Sequence, residues 1–178
     1  DCFGVVASSH LTRWTKDALI YDSLPERIFI RLDKGEITER EALLLMSKLV
    51  NRDPEIVRKE IDSCFKLNMV LVEFIKELRK KGYIIILLSN ASHTFFERFV
   101  FVEHPWFAKL FDDIIISAAI KMAKPDSDIY LYTLKKNNLK PEDTIFIDDN
   151  ENNIVGAQKV GIPSILFKDT DQLKSELL

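Results

Sequence analysis

Six residues of this sequence have side chains that suit the binding of a divalent cation beside a phosphate-like anion. They are Asp1, Ser89, Asn90, Lys124, Asp148 and Asp149. Carboxylate oxygens are the ligands that hard divalent cations prefer, whereas a lysine, a hydroxyl group and backbone N–H groups bind anions. Ser89, Lys124 and Asp148 each follow a run of aliphatic residues, directly or across a short loop. These side chains would meet if the runs form strands that end at one edge of a sheet.

Four aliphatic runs predict the strands that would position these residues. The runs cover 83–88, 114–116, 144–147 and 164–167. Helical stretches at 127–138 and 153–160 separate the later runs. Strands that alternate with helices at this spacing are typical of βαβ units in a parallel sheet, where ligands bind beyond the carboxyl ends of the strands. The unbroken run at 83–88 is typical of a strand that is buried on both faces.

The residues that precede these strands are predicted to be helical. The predicted helices cover 11–19 and 24–32 and begin again at Thr38, Asp53 and Asn68. Thr38 and Glu41 have the spacing of a capping box, in which each side chain bonds to the backbone of the other residue. We therefore predict a helical module over 8–82 and an α/β domain built from 1–7 and 83–178.

The composition limits the classes of protein and of partner. The chain has 178 residues, of which 47% are apolar, so it can form one packed domain with a modest insertion. Its 25 basic and 28 acidic residues give a net charge of -3, so the chain has no excess of positive charge that would favour binding to nucleic acid or to a membrane surface. No apolar run approaches the roughly 20 residues of a membrane span. The two cysteines form no disulfide scaffold, and we expect a soluble protein of the cytoplasm.

Four segments, in their order along the chain, resemble the motifs of the haloacid dehalogenase superfamily, most of whose members are phosphatases. These segments are 1–6, 87–90, 124–126 and 145–149. The resemblance covers essentially the whole chain. It implies a Rossmann-like, three-layer parallel sheet domain of the α/β class, with a small helical cap inserted between the first and second motifs.

The resemblance also implies a role for each site residue. Asp1 would be the nucleophile that forms an aspartyl-phosphate, and Ser89, Asn90 and Lys124 would bind the transferring phosphoryl group. A Mg²⁺ ion would be held by Asp1, the backbone carbonyl of Phe3, Asp148 and Asp149. The implied substrate is a small phosphorylated metabolite.

Phe3 departs from the phosphatase pattern, which usually has a second aspartate two residues after the nucleophile. That aspartate protonates the leaving alcohol, and a phenylalanine cannot. One alternative is a 2-haloacid dehalogenase, because those enzymes have an aromatic residue at this place and use no Mg²⁺. The other is a binding or regulatory protein that holds Mg²⁺ and phosphate without turnover. The acidic pair Asp148 and Asp149 favours the metal-dependent phosphatase.

Two further expectations concern the start of the chain. In this superfamily the nucleophile ends a central strand, so we expect a hydrophobic strand before Asp1. His10, which follows the first motif, is expected to be a solvated residue between cap and core. The sequence leaves the oligomeric state open.

Overall fold

The computed structural model describes residues 1–24 and 27–177. Five helices come first: α1 (His10–Asp17), α2 (Ile28–Asp33), α3 (Glu39–Val50), α4 (Pro54–Ser63) and α5 (Met69–Lys80). The middle of the chain forms β1 (Ile86–Ser89), α6 (His93–Phe95), a π-helix (Phe96–Val100), α7 (Phe101–Glu103), β2 (Asp113–Ile116), α8 (Ser117–Ile120) and α9 (Ser127–Lys136). The last elements are β3 (Phe146–Asp148), α10 (Glu151–Lys159), β4 (Ser164–Leu166) and α11 (Thr170–Leu177). Short 3₁₀ turns lie at Tyr21–Ser23, Phe107–Leu110 and Pro141–Asp143. None of the described helices has the length and apolar character needed to span a bilayer.

The four strands form two parallel pairs. β1 pairs with β2 from Ile86 opposite Asp113 to Ser89 opposite Ile116. β3 pairs with β4, and Asp148 lies opposite Leu166 at its end. The predicted α/β fold with parallel strands is confirmed. The continuous sheet is not found within the described residues, because β1 and β3 do not pair and an apolar cleft of about 510 Å³ lies between them.

Several predicted elements have slightly different bounds in the structure, and two of them differ most. The strand predicted from residue 83 begins at Ile86, and Tyr83 and Ile84 are 57% and 61% exposed. The prediction that this whole run is buried on both faces was therefore wrong, because the paired register with β2 starts only at Ile86. The helix predicted over 24–32 is found as α2, and residues 25–26 of that prediction lie outside the described part of the chain.

The first four helices pack around an apolar cluster of their own, which includes Trp14, Leu32, Met46 and Val57. The predicted capping box is present at the start of α3, where Thr38 Oγ1 accepts from the Glu41 backbone N–H at 3.2 Å. Helix α5 differs from the others, because its apolar face packs in the cluster that contains β1. The division of the chain into a core and a module over 8–82 stays a prediction.

Arg98, in the π-helix, links helices α3 and α4 to the part of the chain that follows β1. Its guanidinium group donates to both carboxylate oxygens of Asp62 on α4, at 2.7 and 2.9 Å, and to Glu39 on α3. The Asp62 side chain is only 8% exposed, so the pairing offsets the cost of burying its carboxylate.

We expect Arg98→Met to destabilise the protein by about 3 kcal/mol, because it leaves the buried Asp62 carboxylate with fewer partners. Arg13→Met is the matched control, because it removes an arginine that pairs with Asp17 at the surface, and its cost should stay below about 1 kcal/mol. Urea unfolding of the two variants measures the difference, and equal free energies of unfolding would contradict this role for Arg98.

Candidate active site

The ammonium group of Lys124 lies at the centre of the candidate site. Its Nζ donates to Asp1 Oδ1 at 2.7 Å, to Asp148 Oδ2 at 2.6 Å and to the Leu88 carbonyl at 3.2 Å. Asp148 ends β3, Leu88 lies near the end of β1, and Lys124 is in the loop between α8 and α9. The structure therefore brings together three of the residues that the sequence singled out, and it does so at the carboxyl ends of two strands.

Asn90 fixes the loop that presents Lys124. The Asn90 side chain donates to the Lys124 carbonyl at 2.9 Å and accepts from the Lys124 backbone N–H at 2.9 Å. The sequence predicted a phosphate-binding role for Asn90 but did not predict this reciprocal pair of hydrogen bonds. Since the pair joins the end of β1 to the Lys124 loop, it holds the two sides of the site in register.

Three carboxylates lie close enough to share one cation. Asp1, Asp148 and Asp149 each offer an oxygen, and these oxygens lie within 4.8 Å of one another. Asp148 is oriented by the backbone N–H of Asn150 at 2.9 Å and by the side chain of Asn153 at 3.0 Å. An all-oxygen, acidic set of this kind fits a hard divalent cation such as Mg²⁺.

Gly4 allows the approach of Asp149 to this group. A Cβ atom at position 4 would lie 2.0 Å from Asp149 Oδ2, and the glycine has a φ of +89°. Any other residue would both adopt a strained backbone conformation and displace the carboxylate. Gly4 is therefore a positioning residue for the acidic cluster.

The pKa values of the site follow from burial and from the charge of Lys124. Burial alone would raise the pKa of Asp148, but the charge and hydrogen bond of Lys124 bring it below its usual range. Partial burial raises the pKa of Asp149, and the neighbouring Asp148 charge adds to this effect. Burial lowers the pKa of Lys124, and the Asp148 carboxylate opposes that shift. The repulsion between the carboxylates would be relieved by a bound cation.

Ser89 ends β1 and is completely buried. Its Oγ atom has no hydrogen-bond partner within the described residues. A buried hydroxyl group without a partner is costly, so a ligand oxygen would stabilise it. Unlike Asn90, Ser89 does not line the cavity at this site. Its predicted role in phosphate binding stays a prediction.

Phe3 lies in a group of aromatic rings. Its ring centroid is 4.7 Å from that of His10 and 6.1 Å from that of Phe95. His10 stacks on Phe95 at 4.0 Å and is only 7% exposed, so the expectation of a solvated histidine was wrong. Burial, together with the Arg98 charge, lowers the pKa of His10 to about 3. Neither Phe3 nor a neutral His10 of this kind can supply a proton near neutral pH.

A cavity of about 440 Å³ opens above the site, between the strand ends and the first four helices. Polar residues of its lining include Asp1, Asn90, Lys124 and Asp149. Apolar side chains of the helices also line it, among them Phe29, Leu32, Leu43, Met46 and Ile61.

Several residues at this cavity were not found from the sequence. Glu39, Arg58 and Arg98 line it, and each is paired within the ionic network around Asp62. Two buried polar atoms of the lining residues, His10 Nδ1 and Glu39 Oε2, lack a partner within the described residues. These residues belong to elements that are far apart in the sequence, and no local motif marks them.

Comparisons with known proteins identify the fold and the family. The HAD family enzyme BT-2542 of Bacteroides thetaiotaomicron, solved in complex with magnesium and inorganic phosphate, matches with a TM-score of 0.77 at 22% identity. The match covers 96% of this chain and 94% of that one, and at this identity it shows the fold alone.

Two curated relatives come from Aspergillus species. Drimenol cyclase drtB of Aspergillus calidoustus is 27% identical over 96% of this chain and 32% of its own length. Sesquiterpene phosphatase astK of Aspergillus oryzae is 28% identical over 63% of this chain and 56% of its own length. The chain therefore spans about a third of the first relative and just over half of the second.

The family model described as haloacid dehalogenase-like hydrolase matches residues 10–161, which is most of the chain. That match agrees with the parallel strands and with the acidic site at their ends. The chain belongs to the haloacid dehalogenase-like hydrolases.

Proposed function

We propose that this protein is a Mg²⁺-dependent phosphatase of a small phosphorylated metabolite, with Asp1 as its nucleophile. The observation that supports this best is the buried Lys124 between Asp1 and Asp148, with Asp149 close enough to share a cation with both. This arrangement offers a nucleophile, a cation site and a fixed positive charge at one point.

In the proposed reaction, a carboxylate oxygen of Asp1 attacks phosphorus in line and the ester P–O bond breaks. Water then hydrolyses the aspartyl-phosphate and restores Asp1. Lys124 holds the Asp1 carboxylate in position, and its charge favours an incoming phosphoryl group. Ser89 Oγ and the backbone N–H of Asn90 would bind phosphoryl oxygens. A Mg²⁺ ion held by Asp1, Asp148, Asp149 and the Phe3 carbonyl would neutralise charge shared by the carboxylate and the phosphoryl group.

The helical segment over 8–82 would act as the cap of this site. Its first four helices supply much of the apolar lining of the cavity. A cover of this kind excludes water from the phosphoryl group and selects the substrate by the shape of its remaining part.

The cavity lining favours a phosphate ester of an apolar alcohol. Glu39, Arg58 and Arg98, which also line the cavity, are paired within the network around Asp62, so they do not call for a second charge on the substrate. His10 Nδ1 and Glu39 Oε2 are each left without a hydrogen bond among the described residues, so the substrate body could carry a polar group. The names of the two Aspergillus relatives, a sesquiterpene phosphatase and a drimenol cyclase, support a terpenoid substrate.

The dehalogenase alternative rests on Phe3, and the non-enzymatic alternative rests on the missing acid at that position. The cluster of three carboxylates argues against the first, because a metal-free reaction has no use for it. The two alternatives predict different results when the release of phosphate and of chloride is measured with and without EDTA.

We expect Mg²⁺-dependent release of phosphate from monoesters, and we expect Asp1→Asn to reduce it by more than about 10³-fold, because the nucleophile is lost. Lys124 would keep its partner Asp148 in this variant, so the fold should persist. Asp17→Asn is the control, because that carboxylate lies at the surface. Phosphate release measured with and without EDTA tests the proposal.

Two outcomes would contradict it. EDTA-resistant release of chloride from 2-chloropropionate would favour a dehalogenase. Binding of Mg²⁺ and phosphate by calorimetry, without turnover of any ester, would favour a binding protein.

We expect Phe29→Ser to lower kcat/KM for farnesyl monophosphate by about 10-fold or more, because it removes apolar contact area from the cavity. Activity on glycerol 3-phosphate, which is too short and too polar to use that area, should change little. Leu19→Ser, at a residue that is 89% exposed, is the control. Equal losses on the two esters would argue against an apolar substrate body.

A further inference from the structure

Asp33 is a carboxylic acid in the lining of the cavity, and the reaction proposed above gives it no role. It is the last residue of α2, and it lines the cavity together with Asp1 and Lys124. Its carboxyl group makes no hydrogen bond and no ion pair with any residue in 1–24 or 27–177. A carboxyl group that faces a cavity and has no partner in the protein is free to meet a substrate, which makes it a candidate functional residue.

Contacts on both sides of the Lys124 loop hold the end of α2 near the reacting groups. Lys34 Nζ forms an ion pair with Asp126 Oδ2 at 2.9 Å, and Asp126 is two residues beyond Lys124. Gly35 packs against α8, where a Cβ atom would lie 2.7 Å from the Ala118 carbonyl oxygen. The end of α2, with Asp33, is therefore anchored beside the Lys124 loop, although it belongs to the helical segment.

The chemistry of an ester with a poor leaving group requires an acid that Phe3 cannot supply. When the P–O bond breaks, its electron pair stays on the alcohol oxygen, which needs a proton if it is to leave as an alcohol. Of the other carboxylates in the cavity lining, Asp1 and Asp149 belong to the proposed nucleophile and cation site, and Glu39 pairs with Arg98.

We propose that Asp33 is the general acid of this enzyme and donates its proton to the leaving alcohol oxygen as the P–O bond breaks. This inference rests on the proposed phosphatase function. The carboxylate that remains on Asp33 regains a proton from solvent before the next turnover.

The electrostatics of the cavity support this role. Burial raises the pKa of Asp33 to about 7, and the Lys124 charge opposes the rise. The nearby Lys34 is paired with Asp126 and so does not hold Asp33 in its charged form. A substantial fraction of the protein thus has a neutral Asp33 near neutral pH, and the negative charge of an entering phosphate favours the neutral form further.

The test compares two esters of similar size and apolar character that differ in their leaving groups. 4-Nitrophenyl phosphate releases a stable phenolate and needs no proton, whereas 2-phenylethyl phosphate releases an alkoxide that does. We expect Asp33→Asn to lower kcat/KM for the phenylethyl ester by about 10²-fold or more and to change that for the nitrophenyl ester only a few-fold. The parameter kcat/KM is chosen because later hydrolysis of the aspartyl-phosphate does not affect it.

Glu36→Gln is the matched control, because it removes an exposed carboxylate three residues further along the same segment. It should leave both esters unaffected. Equal losses on the two esters in Asp33→Asn would overturn the proposal and indicate a role in substrate binding. Unchanged hydrolysis of the phenylethyl ester would also overturn it.

A wild-type protein that hydrolyses neither ester would refute the proposed phosphatase function, and the role of Asp33 with it. The nitrophenyl ester separates a failure of the phosphatase function from a failure of the Asp33 proposal. If its hydrolysis is lost in Asp1→Asn but kept in Asp33→Asn, the phosphatase function is supported whether or not Asp33 is the general acid.

Discussion

The buried ammonium group of Lys124 is the interaction on which the arrangement of this site depends. A lone ammonium group in the protein interior would cost several kcal/mol, so it requires nearby carboxylates. Asp1 and Asp148 provide them at 2.7 and 2.6 Å, and the Leu88 carbonyl accepts a further hydrogen bond. One cation thus joins the start of the chain, the end of β3 and the end of β1, which share no strand pairing. The same charge lowers the pKa of Asp148, and the ionised carboxylate is the form that the proposed cation site requires.

The fold provides two different surfaces around the Lys124 ammonium group. The strand ends and the loops after them present charged groups in fixed positions, because side chains such as Asn90 and Asn153 bond to the residues that act. The first four helices, with their own apolar cluster, present hydrocarbon side chains and Asp33. In the proposed function, different parts of the chain would bind the phosphoryl group and the rest of the substrate. The Arg98 network and the Lys34–Asp126 pair hold the two parts together.

The sequence indicated that several of these residues lie near one another, because Ser89, Lys124 and Asp148 follow recognisable elements in a fixed order. Asp148 follows an aliphatic run, and Lys124 lies in the loop before a helix, so a parallel fold alone brings them near each other. Pairing between strands was harder to predict, since aliphatic runs do not show which neighbours a strand has, and Tyr83 and Ile84 proved exposed. Asp33 and Arg98 could not be found, because their roles arise from helices packed against distant loops. His10 was misjudged because its burial depends on stacking with Phe95, 85 positions later in the chain.

Trapping a covalent intermediate on Asp1 would show whether this residue is the nucleophile of a phosphoryl transfer. The full protein would be mixed with Mg²⁺ and 4-nitrophenyl phosphate, quenched in acid within the first turnovers, digested and examined by mass spectrometry. We expect a phosphoryl group on Asp1 that hydroxylamine removes, because an acyl phosphate reacts with this nucleophile. Phosphate released by active protein with no phosphoryl group on Asp1, or with the group on another residue, would contradict it.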